Sequence, residues 1–349
     1  MNAVTLSDVA AHAGVSPATV SRVLSASRPV GREVEARVRR AAEELGYAGN
    51  GIARALRTRR TDTVGMVVPS ILNPFFTALV DSMENALHAE GKHLFLCDSR
   101  HSAAVEAEHL RSLIERHVDG IVVSPVHDAD SAPAVERSAR SVPLVQLDRR
   151  VDVPGTDWIG LDDTEAMKLV LTHLAATGVR SAAFVTSELT NSSTSLRLEG
   201  FRRWTAALGI RVVADGVVLG DFAVDSGDAA GRRLLDSDDR PDAVVCADDL
   251  IAIGVLRAAR DRGVAVPGEL QVTGIDDIVF ASYVTPALTT LAQPTDRMAA
   301  EALRLLSRRA DAPRGEGGGA RVSFAPRLVV RLSTAEVPGA GPGSGSGPA

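Results

Sequence analysis

The chain is short of lysine, of cysteine and of long apolar runs, and each shortage closes off something. Lysine occurs only at Lys92 and Lys168, so nearly all of the 38 basic residues are arginine. Together with the abundant alanine this points to a GC-rich genome, which bears on source and not on role. The two cysteines, Cys97 and Cys246, lie far apart, and each ends an apolar run. They fit no zinc-site spacing and are expected to be reduced residues of a core or cleft. No run of eighteen apolar residues exists, so no membrane span is expected. The opening MNAVTLSDVA has neither the basic region nor the apolar stretch of a secretion signal, which predicts a cytoplasmic protein. Enzyme signatures are missing too: there is no GxxxxGKS phosphate loop, no GxSxG elbow and no HExxH pair. His101, Glu108 and His109 share a helical stretch at a spacing that does not gather them for chelation, so neither a metal nor a cofactor is expected.

What is present is enough apolar matter for a large core. The 349 residues are 45% hydrophobic, which suits more than one domain. Charge is unevenly spread. Residues 1–60 carry ten arginines against five acidic groups, a net +5, which leaves −11 for the rest of a chain whose total is −6. A basic end on an acidic body suits a nucleic-acid contact confined to that end, although a charged face is commonly just a solvated one.

The first fifty residues have a pattern of their own. Leu6, Val9, Ala10 and Ala13 fall at helical spacing, and Thr5 with Asp8 has the spacing of a capping box. Gly14 suits a tight turn. Ser16 as cap and Pro17 at the first helical position restart a helix whose apolar face is Val20, Val23 and Leu24. A third helix is predicted from about Arg32 to Leu45, with Val34, Val38, Ala41 and Leu45 inward and Gly46 as its stop. Two short helices about a three-residue turn make a helix-turn-helix, though a small bundle with no DNA role would show the same periodicity. The second helix exposes Ala18, Ser21 and Arg22. Arginine can pair with guanine in a major groove, and alanine can touch a thymine methyl. Thr5, Ser7, Thr19 and Ser21 are short hydroxyls suited to phosphates.

The string VTLSDVAAHAGVSPATVSRVLS and its continuation AAEELGYAGNGIARALRTRRTDTVGMVVP resemble the headpiece and hinge of the lactose/galactose-repressor (LacI/GalR) family. That resemblance implies base reading by Pro17, Ala18 and Arg22, beside the cap Ser16. It also implies a hinge helix over about 50–58, capped by Asn50 and carrying Ala53. Leu56 stands in the position of an apolar wedge that enters the minor groove at the operator centre. Gly31 departs from the family, which usually places a serine or threonine cap before the third helix.

From residue 62 onward, strand and helix signals alternate. Strands are predicted at 64–70, 93–99, 119–125, 142–148, 158–163, 181–187, 217–219 and 243–249, with helices between them. Such βα units mean parallel sheets covered by helices, with ligands bound beyond the strands' C-terminal ends. Those ends offer Ser70, Asp98, Ser124, Asp148, Asp162, Asp163, Asp248, Asp249, Asp276 and Asp277. Any one of these aspartates could simply cap the next helix; their recurrence at one end points to a cleft.

The body resembles the family's sensor core, which is itself like periplasmic sugar-binding proteins. The stretches NPFF, DGIVVSP, PLVQLDRR, LRLEGF, GIDD and PALTTLAQP carry the likeness. The fold class implied is α/β, a helical helix-turn-helix headpiece followed by a two-subdomain core of parallel sheets. The expected divisions are a headpiece at 1–49, hinge and linker at 50–61, a core at 62–335 and a disordered tail at 336–349. Within the core, one subdomain spans about 62–160 with 294–322 and the other 161–292 with 323–335. By the same resemblance the effector pocket would hold Phe75, Phe76, Ser124, Asp148, Asn191, Ser193, Arg197, Phe222, Asp248 and Asp276, with Arg197 anchoring the ligand. Simple core packing is the plain alternative for the two phenylalanines, and a helix-face salt bridge for Arg197.

The expected protein is a repressor binding a palindromic operator in double-stranded DNA, controlled by a small molecule of the carbohydrate class. It is expected to be a homodimer, because the tail EVPGAGPGSGSGPA has no leucine heptads with which to build tetramers. Two other readings stand against this one. A transport-type solute-binding protein would need a signal peptide and no headpiece. A sugar-metabolising enzyme would need a catalytic constellation, and none is visible.

Overall fold

The computed structural model describes residues 4–24, 28–47, 60–311 and 318–338. The chain divides into two compact units, Met1–Thr61 and Asp62–Ala349. The expected hinge with Asn50, Ala53 and Leu56, most of the glycine-rich loop near 311–320 and most of the tail lie outside the described residues.

The first unit holds α1 (Leu6–Ala13), α2 (Pro17–Leu24) and α3 (Arg32–Glu44). The capping box forms: Thr5 Oγ1 accepts from the Asp8 amide, and the Asp8 carboxylate accepts from the Thr5 amide at 2.8 Å. Gly14 takes φ +63°, in the left-handed region, and closes α1. Ser16 Oγ accepts from the Thr19 amide and so caps α2. Val9, Ala10, Ala13, Val20, Val23, Val38, Ala41 and Ala42 form the shared core. Leu24 differs from the expectation. It is the last residue of α2, beyond that cluster, and 38% of it is exposed. Gly31 precedes α3 with no side-chain cap.

The second unit is built on two parallel sheets. The larger one has the order β11-β5-β4-β3-β1-β2, from β1 (Thr63–Val68), β2 (His93–Asp98), β3 (Gly120–Val123), β4 (Leu144–Leu147), β5 (Asp157–Leu161) and β11 (Arg321–Phe324). Beside it lie α4 (Pro74–Ala89), α5 (Ala103–Glu115), α6 (Ala132–Ser141) and the long α11 (Thr295–Asp311). The smaller sheet has the order β7-β6-β8-β9, from β6 (Ser181–Ser187), β7 (Arg211–Gly220), β8 (Ala243–Cys246) and β9 (Gln271–Thr273). Its helices are α7 (Asp163–Ala176), α8 (Ser192–Leu208), α9 (Val224–Leu235) and α10 (Asp249–Asp261). An antiparallel pair, β10 (Thr290–Ala292) with β12 (Arg327–Val329), lies alongside β9 through single bridges at Thr289 and Ala292.

The central strands β1, β3, β4, β5, β6 and β8 are buried along their whole length. That explains their unbroken apolar runs, since strands covered on both faces need no alternation. β7 is much longer than the predicted 217–219. Its first half faces solvent except at Val213, and its pairing with β6 shifts register between Ala182 and Phe184. The chain passes between the sheets three times: from β5 to α7, from β10 to α11, and from β11 to β12. The C-terminal ends of the two sheets therefore face a common cleft. Asp157 ties one of the return paths down. Its buried carboxylate accepts from Arg308 at 2.9 Å, from Arg309 at 2.5 Å and from the Ala320 amide at 2.6 Å.

Candidate functional site

In the headpiece, helix α2 presents Pro17, Ala18 and Arg22 to solvent, and Ser7 is exposed on α1. Val20 and Val23 anchor the opposite edge of α2 in the core. Thr5, Ser16 and Thr19 already serve the helix starts: Thr5 Oγ1 lies 2.7 Å from Asp8 Oδ2, and Ser16 Oγ 2.9 Å from Thr19 Oγ1. Arg22 therefore stands as an exposed cation on a rigid two-turn helix, among short hydroxyls that can reach a phosphate without a long, floppy side chain.

In the core, eight of the ten expected effector residues line one small cavity: Phe75, Phe76, Asp148, Ser193, Arg197, Phe222, Asp248 and Asp276. They come from α4, from the end of β4, from α8, from the loop after β7 and from the ends of β8 and β9. Ser124 and Asn191 do not line it. Asn191 is spent on its own helix, where its side-chain oxygen accepts from the Thr194 amide and hydroxyl, both at 3.1 Å. Ser124 ends β3 with its hydroxyl buried and without a hydrogen-bond partner. The aspartates at the strand ends divide by task. Asp162 and Asp248 cap α7 and α10. Asp249 is buried on Ile278 and Thr290, and Asp277 pairs with Arg331. Only Asp148, Asp248 and Asp276 reach the cavity.

Arg197 is committed more deeply than expected. Its Nε donates to Asp163 at 2.7 Å and its Nη1 to the Ala247 carbonyl at 2.6 Å, with the side chain almost fully buried. This is a buried strut between α8, the start of α7 and the end of β8. It also contributes to the cavity wall. Burial alone would loosen the Arg197 proton, but Asp163, Asp276 and Asp148 outweigh that and hold the guanidinium charged.

The cavity carboxyls are under the opposite strain. Burial pushes Asp148 up to about 6, against the pull of Arg149 and Arg197. It pushes Asp248 to about 6 as well, and Asp276 well above the ordinary carboxylate range. Asp148 and Asp276 also sit at positive φ, +65° and +117°, which non-glycine residues rarely adopt. Both are held there from outside. The Asp148 carbonyl accepts from Trp158 Nε1 at 3.0 Å, and the Asp276 carboxylate accepts from Gln293 at 2.7 Å.

Two further residues join the site: Asn73 and Arg149. Asn73 caps α4, its Oδ1 accepting from the Phe75 amide, while its Nδ2 reaches Asp248 Oδ2 at 3.4 Å on the other lobe. Arg149 lies over Phe76 of its own lobe at 5.7 Å and over Phe222 of the other at 5.1 Å. The lobes also touch along one rim. The Asp128 amide donates to the Thr190 carbonyl at 2.8 Å and the Arg150 amide to Ser192 Oγ at 2.9 Å. Hydrogen-bond donors, acceptors and aromatic faces thus converge on a small space between the two lobes. Such a lining has the donors, acceptors and apolar faces that a small polar ligand would need. Among the described residues no group of three or more histidine, cysteine or acidic side chains could hold a metal.

Comparison with known proteins agrees with both halves. Residues 5–50 match the family model for bacterial regulatory proteins of the lacI family, and residues 171–334 match that of a periplasmic binding protein-like domain. The HTH-type transcriptional repressor PurR of Pasteurella multocida (strain Pm70) is 32% identical over 329 residues, which cover 94% of this chain and 98% of that protein. The chain belongs to the lacI family of bacterial regulatory proteins. Among solved structures, the lac repressor dimer bound to operator and the anti-inducer ONPF has a TM-score of 0.86 at 25% identity, covering 95% of this chain and 99% of that one. The transcriptional regulator CelR–cellobiose complex has a TM-score of 0.71 at 33% identity over the same shares.

This lacI-family chain is thus a DNA-binding transcription regulator, and its relatives are repressors, not enzymes. Asn73 was within reach of sequence reasoning, because Asn-Pro before an aromatic-rich helix is a cap signal in the NPFF stretch. Arg149 was not: in PLVQLDRR nothing distinguishes it from Arg150, and only the turn after β4 decides which of the two faces inward. No helix among the described residues is long and apolar enough to cross a membrane.

Proposed function

We propose that this protein is a dimeric transcriptional repressor whose affinity for a palindromic operator is set by a sugar, or a close derivative, bound between its two lobes. The observation that carries the effector class is the composition of the cavity wall. Phe75, Phe76 and Phe222 offer flat apolar faces, while Asp148, Asp248, Asp276 and Arg149 offer acceptors and donors. A sugar presents an apolar ring face, and its hydroxyls each donate and accept at once. Undercompensated carboxylates take the hydroxyl protons, and guanidinium groups take the oxygen lone pairs. The binding of cellobiose by the similar regulator CelR accords with this class.

The mechanism follows from the two lobes. A ligand that contacts both changes their relative free energy in the closed and open arrangements, which is the differential interaction any switch requires. Asn50, Ala53 and Leu56 are proposed to form the element that reads this change at the minor groove, and Arg22, with Pro17 and Ala18, to read bases in the major groove. Two copies related by a two-fold axis would match the two half-sites.

The test is a thermal-shift screen of the purified protein against sugars, sugar phosphates and nucleosides, followed by titration of an operator duplex selected from a randomised pool. A sugar that raises the melting temperature and changes operator affinity supports the reading. Stabilisation by nucleosides alone would overturn the sugar class and leave the DNA-binding function standing.

A further inference from the structure

Outside the cavity the two lobes meet along one rim, and a loop of the first lobe, between β3 and α6, carries Asp128 into that meeting. The Asp128 amide donates to the Thr190 carbonyl at 2.8 Å, and its carboxylate is turned to the Ser192 amide, the first of α8. From the turn after β4, the Arg150 amide donates to Ser192 Oγ at 2.9 Å. Ser192 is thus gripped through its amide and its hydroxyl by two segments of the other lobe. Asn191 accepts from the Thr194 amide of the same helix, so the first turn of α8 draws its partners from both lobes. A carboxylate beside the first amide of a seventeen-residue helix also meets the positive end of the helix dipole.

The loop is fixed from its own side. His127 Nδ1 accepts from the Ala129 and Asp130 amides at 3.3 and 3.2 Å, and Ser131 Oγ accepts from the His127 amide at 3.2 Å. The fully buried Glu106 of α5 accepts from the Val126 amide at 2.9 Å. These bonds all lie within the first lobe, so they hold Asp128 in place independently of the second. Asp128 itself is exposed and lines no part of the cavity. Yet its partners border the cavity wall: Ser192 precedes Ser193 in the chain, and Arg150 follows Arg149.

We propose that the loop 126–131 is a latch on the rim of the cleft, in which Asp128 docks on the first turn of α8 and sets the balance between closed and open lobes from outside the cavity. This rests on the reading of the cleft as an effector site. A ligand held by both lobes binds the closed arrangement, so its apparent affinity scales with the closed fraction. The latch raises that fraction without touching the ligand. It therefore tunes affinity for every ligand of the cleft by the same factor, and leaves selectivity among ligands to the cavity wall. Because Asp128 is exposed, water and salt screen its charge, which suits a latch that opens readily and not a permanent lock.

The test compares D128A with E136A in the full-length protein. Glu136 is a half-exposed acid of the same lobe that pairs with Arg140 within α6, so it controls for the lost charge. Hydrogen exchange followed by mass spectrometry reads the latch, and calorimetric titration with D-ribose, D-glucose and cellobiose reads the ligand. In D128A, peptides covering 126–131 and 190–195 exchange about 3- to 10-fold faster than in wild type, while those of β1 and β6 keep wild-type rates. With whichever of the sugars binds wild type, D128A binds about 3- to 10-fold more weakly, by the same factor for each. E136A matches wild type in both readouts. Wild-type exchange along the rim of D128A would overturn the proposal. So would faster exchange spread through the strands of the first lobe, which would make Asp128 a support of the fold. Undiminished sugar affinity in a D128A protein whose rim exchanges faster would overturn it too, since the latch would then not feed the ligand site. If none of the three sugars binds wild type, the sugar reading is what weakens, and the exchange comparison still decides the latch.

Discussion

The headpiece and the cleft are two functional regions built on opposite principles. In the headpiece the candidate contact residues are exposed and depend on neighbours a few positions away. Arg22 stands out from α2, and Thr5 with Asp8 and Ser16 with Thr19 fix the helix starts. In the cleft the candidate residues are buried and depend on partners far along the chain, such as Asp163 with Arg197 or Asn73 with Asp248. The difference predicts where mutations are felt. Changes in the headpiece should alter DNA affinity and leave stability nearly untouched, whereas changes around the cleft should alter stability and effector response together.

The sharpest test on the stability side is Asp157→Ala. Asp157 is fully buried and gathers Arg308, Arg309 and the Ala320 amide, so it joins the end of α11 to the start of β11. Its carboxyl is held below the ordinary range: burial opposes this, but the Arg309 contact, the Ala320 amide and Arg308 prevail. Truncation is expected to cost about 3 kcal/mol of core stability in denaturant titration. A cost under about 1 kcal/mol would mean that long-range polar struts matter no more here than surface pairs.

The same contrast explains what could be seen in the sequence. Local devices were legible because their partners lie within four residues: the capping box, the turn at Gly14, the uncapped α3 at Gly31. Fully buried strands were legible from unbroken apolar runs, but only the second half of β7 was, because its first half mostly faces solvent. At the cleft, residue type and strand-end position offered ten polar candidates, and the family resemblance narrowed them to Ser124, Asp148, Asp248 and Asp276. They could not tell a cap such as Asp162 or Asn191 from a cavity residue, since both uses want a short polar side chain at a helix start. Nor could they show that Arg197 is hydrogen-bonded to Asp163 at 2.7 Å while Arg149 makes only a 3.9 Å contact with Asp148. Those are facts of long-range geometry.

On the headpiece side, Arg22→Ala is expected to weaken specific operator binding by about 1–3 kcal/mol in fluorescence anisotropy, with a melting temperature within a degree or so of wild type. A large stability loss without loss of specificity would reverse the contrast and place Arg22 in the fold.

A change at the cleft can also stabilise. Asp148, pushed up to about 6, holds its proton more tightly folded than unfolded, where a carboxyl titrates near 4. A raised carboxyl favours the fold at low pH, and that contribution is lost as pH rises through about 6. Asp148→Asn removes the charge that burial opposes. The ligand-free variant should therefore be about 1–3 kcal/mol more stable than wild type at pH 7, with the gap closing toward pH 4. Its response to the effector should fall at the same time. A gap that does not change with pH would show that Asp148 is not the strained group.

The smallest expected effect belongs to Gly31. It precedes α3 at φ −55° and ψ 135°, angles open to any residue, and offers no side chain to the first amides of the helix. A Cβ added there meets nothing within 4 Å. Gly31→Ser therefore supplies a cap oxygen and reduces the freedom of the unfolded chain, two effects of a few tenths of a kcal/mol each. The sum should be about 0.5–1 kcal/mol, read as a raised melting temperature of the headpiece unit with operator affinity unchanged. If instead the serine alters operator affinity while stability stays put, the start of α3 takes part in the DNA contact. The separation of local stability from recognition in the headpiece would then fail at the one helix start the sequence leaves uncapped.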